Sequence, residues 1–231
     1  MMPLLTDSAA ARARDAVIAI DAAIRDDESG NDGYAALFSA YVATLVPDGD
    51  AQQERMLDRL VERLGQPYAR AGLFGGLAGD GWVLCHIGDE CEPLLVQIDR
   101  QLHAVLPTLA DFDLISGSAG IAIYFAERLH QGAEARDALA TTFAHLASGW
   151  RAAPGDDCGL AHGTPGVIAA VTVAASRGIV DAVALRDEAL AWLSRARLAD
   201  GAYPTKLGGR PARTAWCYGD PGIVAGLWNA G

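Results

Sequence analysis

The sequence is short of positive charge and of cysteine, and each shortage excludes a class of protein. Its 231 residues include 18 lysines and arginines against 29 aspartates and glutamates, which gives a formal net charge of −11. Nucleic-acid-binding proteins normally carry the opposite balance, because they must neutralise phosphates. Four cysteines are too few and too scattered for a disulfide scaffold in a chain of this length, so reduced thiols or metal ligands are expected.

Long apolar runs are also missing. No stretch of about 18 apolar residues is free of both charges and glycines, so no transmembrane helix is predicted. Residues 8–24 mix alanines with charged side chains, which is typical of an amphipathic helix and unlike the basic and apolar segments of a signal peptide. We therefore expect a cytoplasmic protein.

Strand-like alternation of apolar and polar residues is scarce, whereas helical spacing of apolar residues is present along most of the chain. It is clear in residues 56–64, 136–150 and 186–199. Hydrophobic residues make up 51% of the sequence, which is enough to bury a sizeable core. Because no low-complexity linker or change of composition divides the chain, we predict a single, mostly α-helical domain over residues 1–231.

A repeated motif is the most informative feature of the sequence. The pattern Gly-x-x-Gly occurs four times, and an apolar run follows each copy. The first glycines of the four copies are 41, 46 and 56 residues apart, which leaves room for two helices and two loops per repeat. The four copies begin at Gly76, Gly117, Gly163 and Gly219.

The motif has a simple physical interpretation. Pro165 and Pro221 suit the first turn of a helix, where a missing N–H does no harm. The glycines allow the preceding loop to turn tightly and backbones to approach each other. Each repeat is therefore predicted to be a loop, an inner apolar helix, a second loop and an outer amphipathic helix. Stacked hairpins of this kind form an open solenoid or a closed toroid, with the glycine loops gathered at one mouth where a site can form.

Three segments identify a family resemblance. Residues 113–120 read Asp-Leu-Ile-Ser-Gly-Ser-Ala-Gly, residues 159–166 read Gly-Leu-Ala-His-Gly-Thr-Pro-Gly, and residues 213–222 contain Trp-Cys-Tyr-Gly. Together they closely resemble the lanthionine synthetase C-like family, the lanthipeptide cyclases, from about residue 70 onward. The resemblance implies an α/α toroid of seven helical hairpins. About four are expected here, so that residues 1–231 form one LanC-like domain that is incomplete at its C-terminus.

The resemblance also implies an activity. Members of the family are zinc-dependent cyclases that add a peptide cysteine thiolate to dehydroalanine or dehydrobutyrine, which closes a thioether ring. The implied partners are a dehydrated precursor peptide and a separate lanthipeptide dehydratase. Zinc suits this reaction because it lowers the pKa of a bound thiol and keeps a coordination position for the substrate.

Five residues carry over from the family by position. Cys217 matches a zinc ligand, His162 the general acid or base, and Asp113 the acidic residue that orients the histidine. Arg213 and Tyr218 match further residues of the site. The family's other two zinc ligands, a Cys-His pair before a glycine in a later repeat, have no match in this chain. Cys85-His86 follows the first Gly-x-x-G copy instead and is interpreted as a coincidence, so one zinc ligand is expected.

Alternatives stay open at this point. A LanC-like protein without a complete zinc site could be non-catalytic and bind a peptide, a thiol such as glutathione, or a partner enzyme. Individually, Cys217 could be a buried small hydrophobe, Asp113 a helix N-cap, and Arg213 an ordinary surface charge. A toroidal glycosidase is disfavoured, because Asp113 has no convincing carboxylate partner in the sequence.

Overall fold

The structure is a computed structural model, and it describes residues 6–25, 32–46, 48–66, 70–87, 91–129, 135–228 and 230. Over these residues it contains ten α-helices and no strand beyond two isolated β-bridges. None of the described helices is long and apolar enough to cross a membrane. The helices are α1 (Asp7–Arg25), α2 (Asp32–Val42), α3 (Gly49–Leu64), α4 (Leu77–Ile87), α5 (Glu92–Val105), α6 (Ser118–Arg128), α7 (Ala135–Ala152), α8 (Thr164–Ser176), α9 (Asp181–Ala196) and α10 (Asp220–Leu227).

The chain divides into two compact units, and the boundary falls within α4. The first unit comprises residues 1–68 and 83–92, and the second comprises residues 69–82 and 93–231. In the first unit α2 packs against α1 and α3. One face of α3 is buried, and its apolar members Met56, Leu60 and Leu64 recur at the four-residue spacing that the sequence shows. A single domain over the whole chain stays a prediction.

Inner and outer helices alternate in the second unit, as predicted. Helices α6 and α8 are buried on nearly every side, which explains why their sequences are apolar or small almost throughout. Helices α7 and α9 bury one face only and keep charged residues on the other. The helix predicted over 186–199 begins earlier, at Asp181, and ends at Ala196, because Arg197 adopts an extended backbone.

The helices of the second unit pack as successive hairpins. Helix α6 packs against α7 and α8 against α9, while α6, α8 and α10 form a row of neighbouring inner helices. Pro165 and Pro221 lie in the first turns of α8 and α10, as the sequence predicted. The predicted all-α fold of helical-hairpin repeats is therefore confirmed.

Each inner helix is preceded by a short loop, which we call a mouth loop. The four mouth loops are residues 70–76, 111–117, 157–163 and 213–219, each ending at the first glycine of a motif. In the first three loops a backbone N–H at the start of the helix donates to the carbonyl seven residues earlier, which folds the loop back on itself. These bonds run from Leu77 to Arg70 (3.1 Å), from Ser118 to Asp111 (3.2 Å) and from Thr164 to Asp157 (3.3 Å).

Glycine is required where these loops close. A Cβ atom at Gly163 would overlap the carbonyl of Asp157, and one at Gly219 would overlap the carbonyl of Arg213. Gly219 also has φ of 141°, a conformation that side-chain-bearing residues rarely adopt. The motif glycines thus permit the close backbone approach that brings each loop onto the end of its helix.

Neighbouring mouth loops are hydrogen-bonded to one another. Their bonds form a ladder in which Phe74 donates to Ile115 (3.1 Å), Leu114 to Ala161 (3.2 Å), and Ala161 to Cys217 (3.3 Å), all through backbone atoms. Beneath the ladder, three leucines at equivalent positions of the first three loops form one apolar cluster. The four loops are therefore held together at one end of the inner helices, as the sequence predicted.

Candidate functional site

The mouth loops bring two predicted site residues into direct contact. The Nδ1 atom of His162, in the third loop, lies 2.8 Å from Oδ2 of Asp113, in the second loop. The side chain of Asp113 is 14% exposed, whereas that of His162 is 42% exposed. The pair therefore has a sheltered carboxylate and an imidazole that solutes can reach.

Asp113 is fixed by its own loop. Its Oδ1 atom accepts the backbone N–H groups of Ser116 (2.7 Å) and Gly117 (3.0 Å). The Ser116 hydroxyl is within hydrogen-bonding distance of both carboxylate oxygens. Because an aspartate carboxylate only accepts hydrogen bonds, Asp113 is the acceptor toward His162. Asp113 is not the N-cap of α6, a position that Gly117 occupies, so that alternative is wrong.

This arrangement decides the tautomer of His162. With Asp113 as acceptor, Nδ1 must carry a proton and donate it to the carboxylate. The Nε2 atom then has no hydrogen-bond partner among the described residues and is free to take up or release a proton. A histidine held in this way suits general acid–base chemistry on a bound ligand.

The fourth mouth loop contributes the other three predicted residues. The guanidinium Nη2 of Arg213 lies 3.9 Å from the sulfur of Cys217 and donates to it. Cys217 is partly exposed, so it is not the buried small hydrophobe of the alternative interpretation. The ring of Tyr218 packs near that of His162, with 6.2 Å between their centroids. All five predicted site residues therefore lie on the second, third and fourth mouth loops.

Tyr218 is a hydrogen-bond donor rather than a base. Burial raises its pKa above the usual value, and the nearby carboxylate of Asp157 and the thiol of Cys217 add to the effect. The hydroxyl consequently stays protonated at neutral pH. Tyr218 can donate to a ligand but cannot accept its proton as a phenolate.

Sequence reasoning missed an acidic neighbour of the site, Asp157. Its Oδ1 accepts the backbone N–H of Gly159 at 2.7 Å, and burial raises its pKa. The segment between α9 and α10 covers it, since Lys206 forms an isolated β-bridge with Asp157 and an exposed ion pair with Asp156. A usable signal existed, because Asp157 precedes its motif glycine by six residues, just as Asp111 precedes Gly117.

Cys158 is distinct from Cys217 in its environment. It is fully buried, and burial together with Asp157 and Asp156 raises its pKa to about 11. A thiol with this pKa is protonated at neutral pH and is a poor nucleophile or metal ligand. The position of Cys158 just before the His162 motif favours an ordinary loop cysteine, and the observed environment fits that interpretation.

The described residues do not complete a zinc site. A catalytic zinc takes three protein ligands, and no group of three histidine, cysteine or acidic side chains with suitable geometry is present among them. Cys217 is partly exposed at the mouth and has the right chemistry for one ligand. These residues by themselves therefore do not fit the three-ligand zinc site that the resemblance implies.

An aromatic pair lies at the same end of the second unit. The ring centroids of Phe74, in the first mouth loop, and Trp216, in the fourth, are 5.4 Å apart, with 53° between the ring planes. Both side chains are substantially exposed. Trp216 immediately precedes Cys217, so the pair adjoins the predicted site.

Comparisons with known proteins agree with this architecture. No protein of curated function shows a significant sequence match. The structure is similar to that of a nisin cyclase, with a TM-score of 0.69 and 17% sequence identity, over 97% of this chain and 71% of that one. At this identity the likeness shows a shared fold, a portion of a LanC-like α/α toroid. The sequence model described as lanthionine synthetase C-like protein matches residues 27–231, which extends well beyond the motifs. The chain belongs to the lanthionine synthetase C-like family.

Proposed function

We propose that the chain is a lanthipeptide cyclase, or the part of one that carries its proton-transfer residues. The reaction would join a peptide cysteine to dehydroalanine or dehydrobutyrine through a thioether bond. The observation that carries the proposal is the 2.8 Å contact between His162 and Asp113, with Nε2 left open at the mouth. Family membership supports the peptide as substrate. The cytoplasmic location and the separate dehydratase stay predictions.

The His162–Asp113 pair can transfer one proton from the substrate thiol to the α-carbon of the product. Neutral His162 would take the proton of the substrate thiol at Nε2, and Asp113 would stabilise the resulting imidazolium. The thiolate then forms a bond to the β-carbon of the dehydroamino acid, and the electrons of the carbon–carbon double bond move to the α-carbon and its carbonyl. His162 returns the proton to the α-carbon. The product has the same atoms as the reactant, and the site ends as it began.

Arg213 and Tyr218 have supporting roles in this proposal. The Arg213 guanidinium, which reaches the sulfur of Cys217, supplies positive charge at the mouth. Tyr218 can donate a hydrogen bond to the developing enolate, because its hydroxyl stays protonated. Cys217 is proposed as this chain's ligand to zinc, with the remaining ligands supplied from outside the described residues.

Ring closure in a synthetic peptide tests the proposal. The peptide contains one cysteine and one dehydroalanine, and the loss of alkylatable thiol at constant mass reports the ring. Run in D2O, the reaction should place one deuterium at the new α-carbon. The expected result is closure by the parent chain, supplemented with zinc, and a loss of about 10²-fold or more in His162→Ala.

A matched control separates chemistry from folding. His145 bonds the carbonyl of Leu109 away from the mouth residues, and His145→Gln should close the ring at the parent rate. A His162→Ala protein that is folded and fully active would overturn the proposed role. Closure by neither protein, above the uncatalysed rate, would overturn the cyclase proposal for this chain.

A non-catalytic binding protein is the second candidate. The observation that favours it is that the described residues lack a group of three metal-binding side chains. Such a protein would bind a peptide, a thiol such as glutathione, or a partner enzyme without converting it. Measurable peptide binding by a chain that retains no zinc and closes no ring would select this alternative.

A further inference from the structure

We infer that Phe74 and Trp216 form a subsite for an apolar side chain of the substrate peptide, next to the cysteine that reacts. This inference rests on the proposed function. The two rings contact each other from the first and fourth mouth loops, and they remain 39% and 47% exposed. Exposed aromatic surface beside a site is a common feature of peptide recognition, because a ring buries a large area while few bonds lose their freedom.

Trp216 differs from the residues at the equivalent position of the other three mouth loops. Leu73, Leu114 and Leu160 each lie three residues before the first glycine of a motif, as Trp216 does. The three leucines are at most 9% exposed and pack together beneath the loops. At the same register in the fourth loop, the larger Trp216 is about half exposed and contacts Phe74 instead. Packing within the repeat therefore does not explain the choice of tryptophan.

The backbones that carry the two rings are fixed. The N–H of Phe74 donates to the carbonyl of Ile115 at 3.1 Å. The carbonyl of Trp216 lies where a Cβ atom on Gly222 would be, so α10 packs directly against it. Because both anchor points are already ordered, a ligand that covers the rings loses little additional conformational entropy.

The aromatic pair is adjacent in the sequence to residues on both sides of the candidate site, Cys217 and the loop that holds Asp113. Trp216 is followed directly by Cys217, and Ile115 is followed directly by Ser116, which bonds Asp113. Consecutive residues of an extended peptide are about 3.5 Å apart, so a cysteine at the site places its neighbour within reach of the rings. An acidic neighbour is disfavoured, because the two aromatic rings offer a carboxylate no charged partner.

Peptides that differ at one position test the subsite. The probes are acetylated tetrapeptide amides of sequence Gly-Xaa-Cys-Gly, with Xaa as phenylalanine, leucine, serine or aspartate, titrated calorimetrically into the intact chain. The phenylalanine and leucine peptides should bind about tenfold more tightly than the serine peptide, and the aspartate peptide most weakly. Phe74→Ala and Trp216→Ala should reduce that preference to less than twofold.

Two further variants separate loss of the subsite from misfolding and from the loss of any exposed tryptophan. Trp216→Phe retains an aromatic ring and should keep most of the preference even if the alanine variant folds poorly. Trp228→Ala removes another highly exposed tryptophan, in the turn after α10, and should leave all four affinities unchanged. The ring-closure assay can use a cysteine–dehydroalanine peptide with phenylalanine immediately before the cysteine. For this substrate, Trp216→Ala should raise KM while leaving kcat within twofold.

The outcomes separate the two proposals. Equal binding of the four peptides, or a preference that survives in the Phe74→Ala/Trp216→Ala double variant, would overturn the subsite and leave the cyclase proposal intact. Binding with the expected preference, but without ring closure in the parent, would support the subsite within the non-catalytic alternative. If none of the four peptides binds the parent chain, both the subsite and the peptide as substrate are wrong.

Discussion

The imidazole of His162 and the carboxylate of Asp113 are 2.8 Å apart although 49 residues separate them in the sequence. Their contact depends on the backbone ladder, because Leu114, the residue after Asp113, bonds Ala161, the residue before His162. The ladder thus brings the two residues together before any ligand binds. Such preorganisation means that a proton acceptor at Nε2 needs no rearrangement of the loops.

Replacing the orienting carboxylate should weaken catalysis without unfolding the site. In Asp113→Asn the amide oxygen can still accept the N–H groups of Ser116 and Gly117, but the charge that stabilises the imidazolium is lost. We expect ring closure to slow by about 10²-fold or more, with little change in KM. Steady-state kinetics on the cysteine–dehydroalanine peptide measure this. An unchanged kcat in the folded variant would contradict the proposed role.

The cysteines of the third and fourth mouth loops should differ sharply in reactivity. Cys158 is fully buried with a pKa of about 11, whereas Cys217 is partly exposed. Iodoacetamide at pH 7.5 should therefore modify Cys217 in the native protein and Cys158 only after denaturation. Peptide mapping by mass spectrometry locates the label. The control is Cys217→Ser. Without denaturant, iodoacetamide should then label no cysteine within residues 157–231.

Asp157 should reduce stability at neutral pH. Its pKa is raised in the folded state, mainly by burial, so the folded protein binds this proton more tightly than the unfolded chain. The resulting penalty is absent below the unfolded pKa of about 3.8, grows between that value and the folded pKa, and is fully present above it. Asp157→Asn keeps an acceptor for Gly159 and should be more stable than the parent at pH 7, with the difference vanishing near pH 3.

Denaturant unfolding across that pH range measures the effect of Asp157→Asn. Asp156→Asn is the matched control, since Asp156 forms an ion pair with Lys206 in which both side chains are about 60% exposed. Its free energy of unfolding should differ from that of the parent by less than about 1 kcal/mol at every pH. A stability gain in Asp157→Asn that is the same at pH 3 and pH 7 would refute the burial argument.

Two glycine-to-alanine substitutions should change stability in opposite directions. A Cβ at Gly163 would overlap the backbone of Asp157, so Gly163→Ala should cost about 1–3 kcal/mol. Gly149 lies within α7, where a Cβ would meet only a ring carbon of Phe112 at 3.8 Å. Gly149→Ala should therefore add about 0.5–1 kcal/mol through helix propensity. Urea unfolding distinguishes these results, and equal effects would contradict the close-approach explanation.

The repeat was predictable because its signals are local. Each Gly-x-x-G copy lies at a helix start, and the apolar runs after Gly117 and Gly163 correspond to the two most buried helices. His162 and Asp113 were named from the family resemblance, and the structure brings them together because they occupy neighbouring loops of the same repeat series. The helix ends were less predictable, since Arg197 turns to an extended backbone before the helical pattern ends.

The contacts that the sequence did not predict are those between distant segments. Trp216 and Phe74 belong to the fourth and first mouth loops, with two loops between them in the sequence, and nothing in either local pattern indicates that they pair. Asp157 becomes partly buried because the segment after α9 folds back on it through isolated bridges, without the alternation that marks a strand. His130, whose place in or near a helical pattern favours a structural role, lies outside the described residues.

The backbone ladder also bears on how such a chain can change during evolution. Register between mouth loops is set by one hydrogen bond from each loop to the next, and the leucines beneath the first three loops pack together. The lengths of the outer helices, and of the loops at the end away from the mouth, do not affect this register. Spacings of 41, 46 and 56 residues between the first glycines of successive motifs are therefore all compatible with it. Insertions should be tolerated on the side away from the mouth. A single residue inserted between Leu160 and His162 would instead shift every later side chain of that loop, including the imidazole of His162.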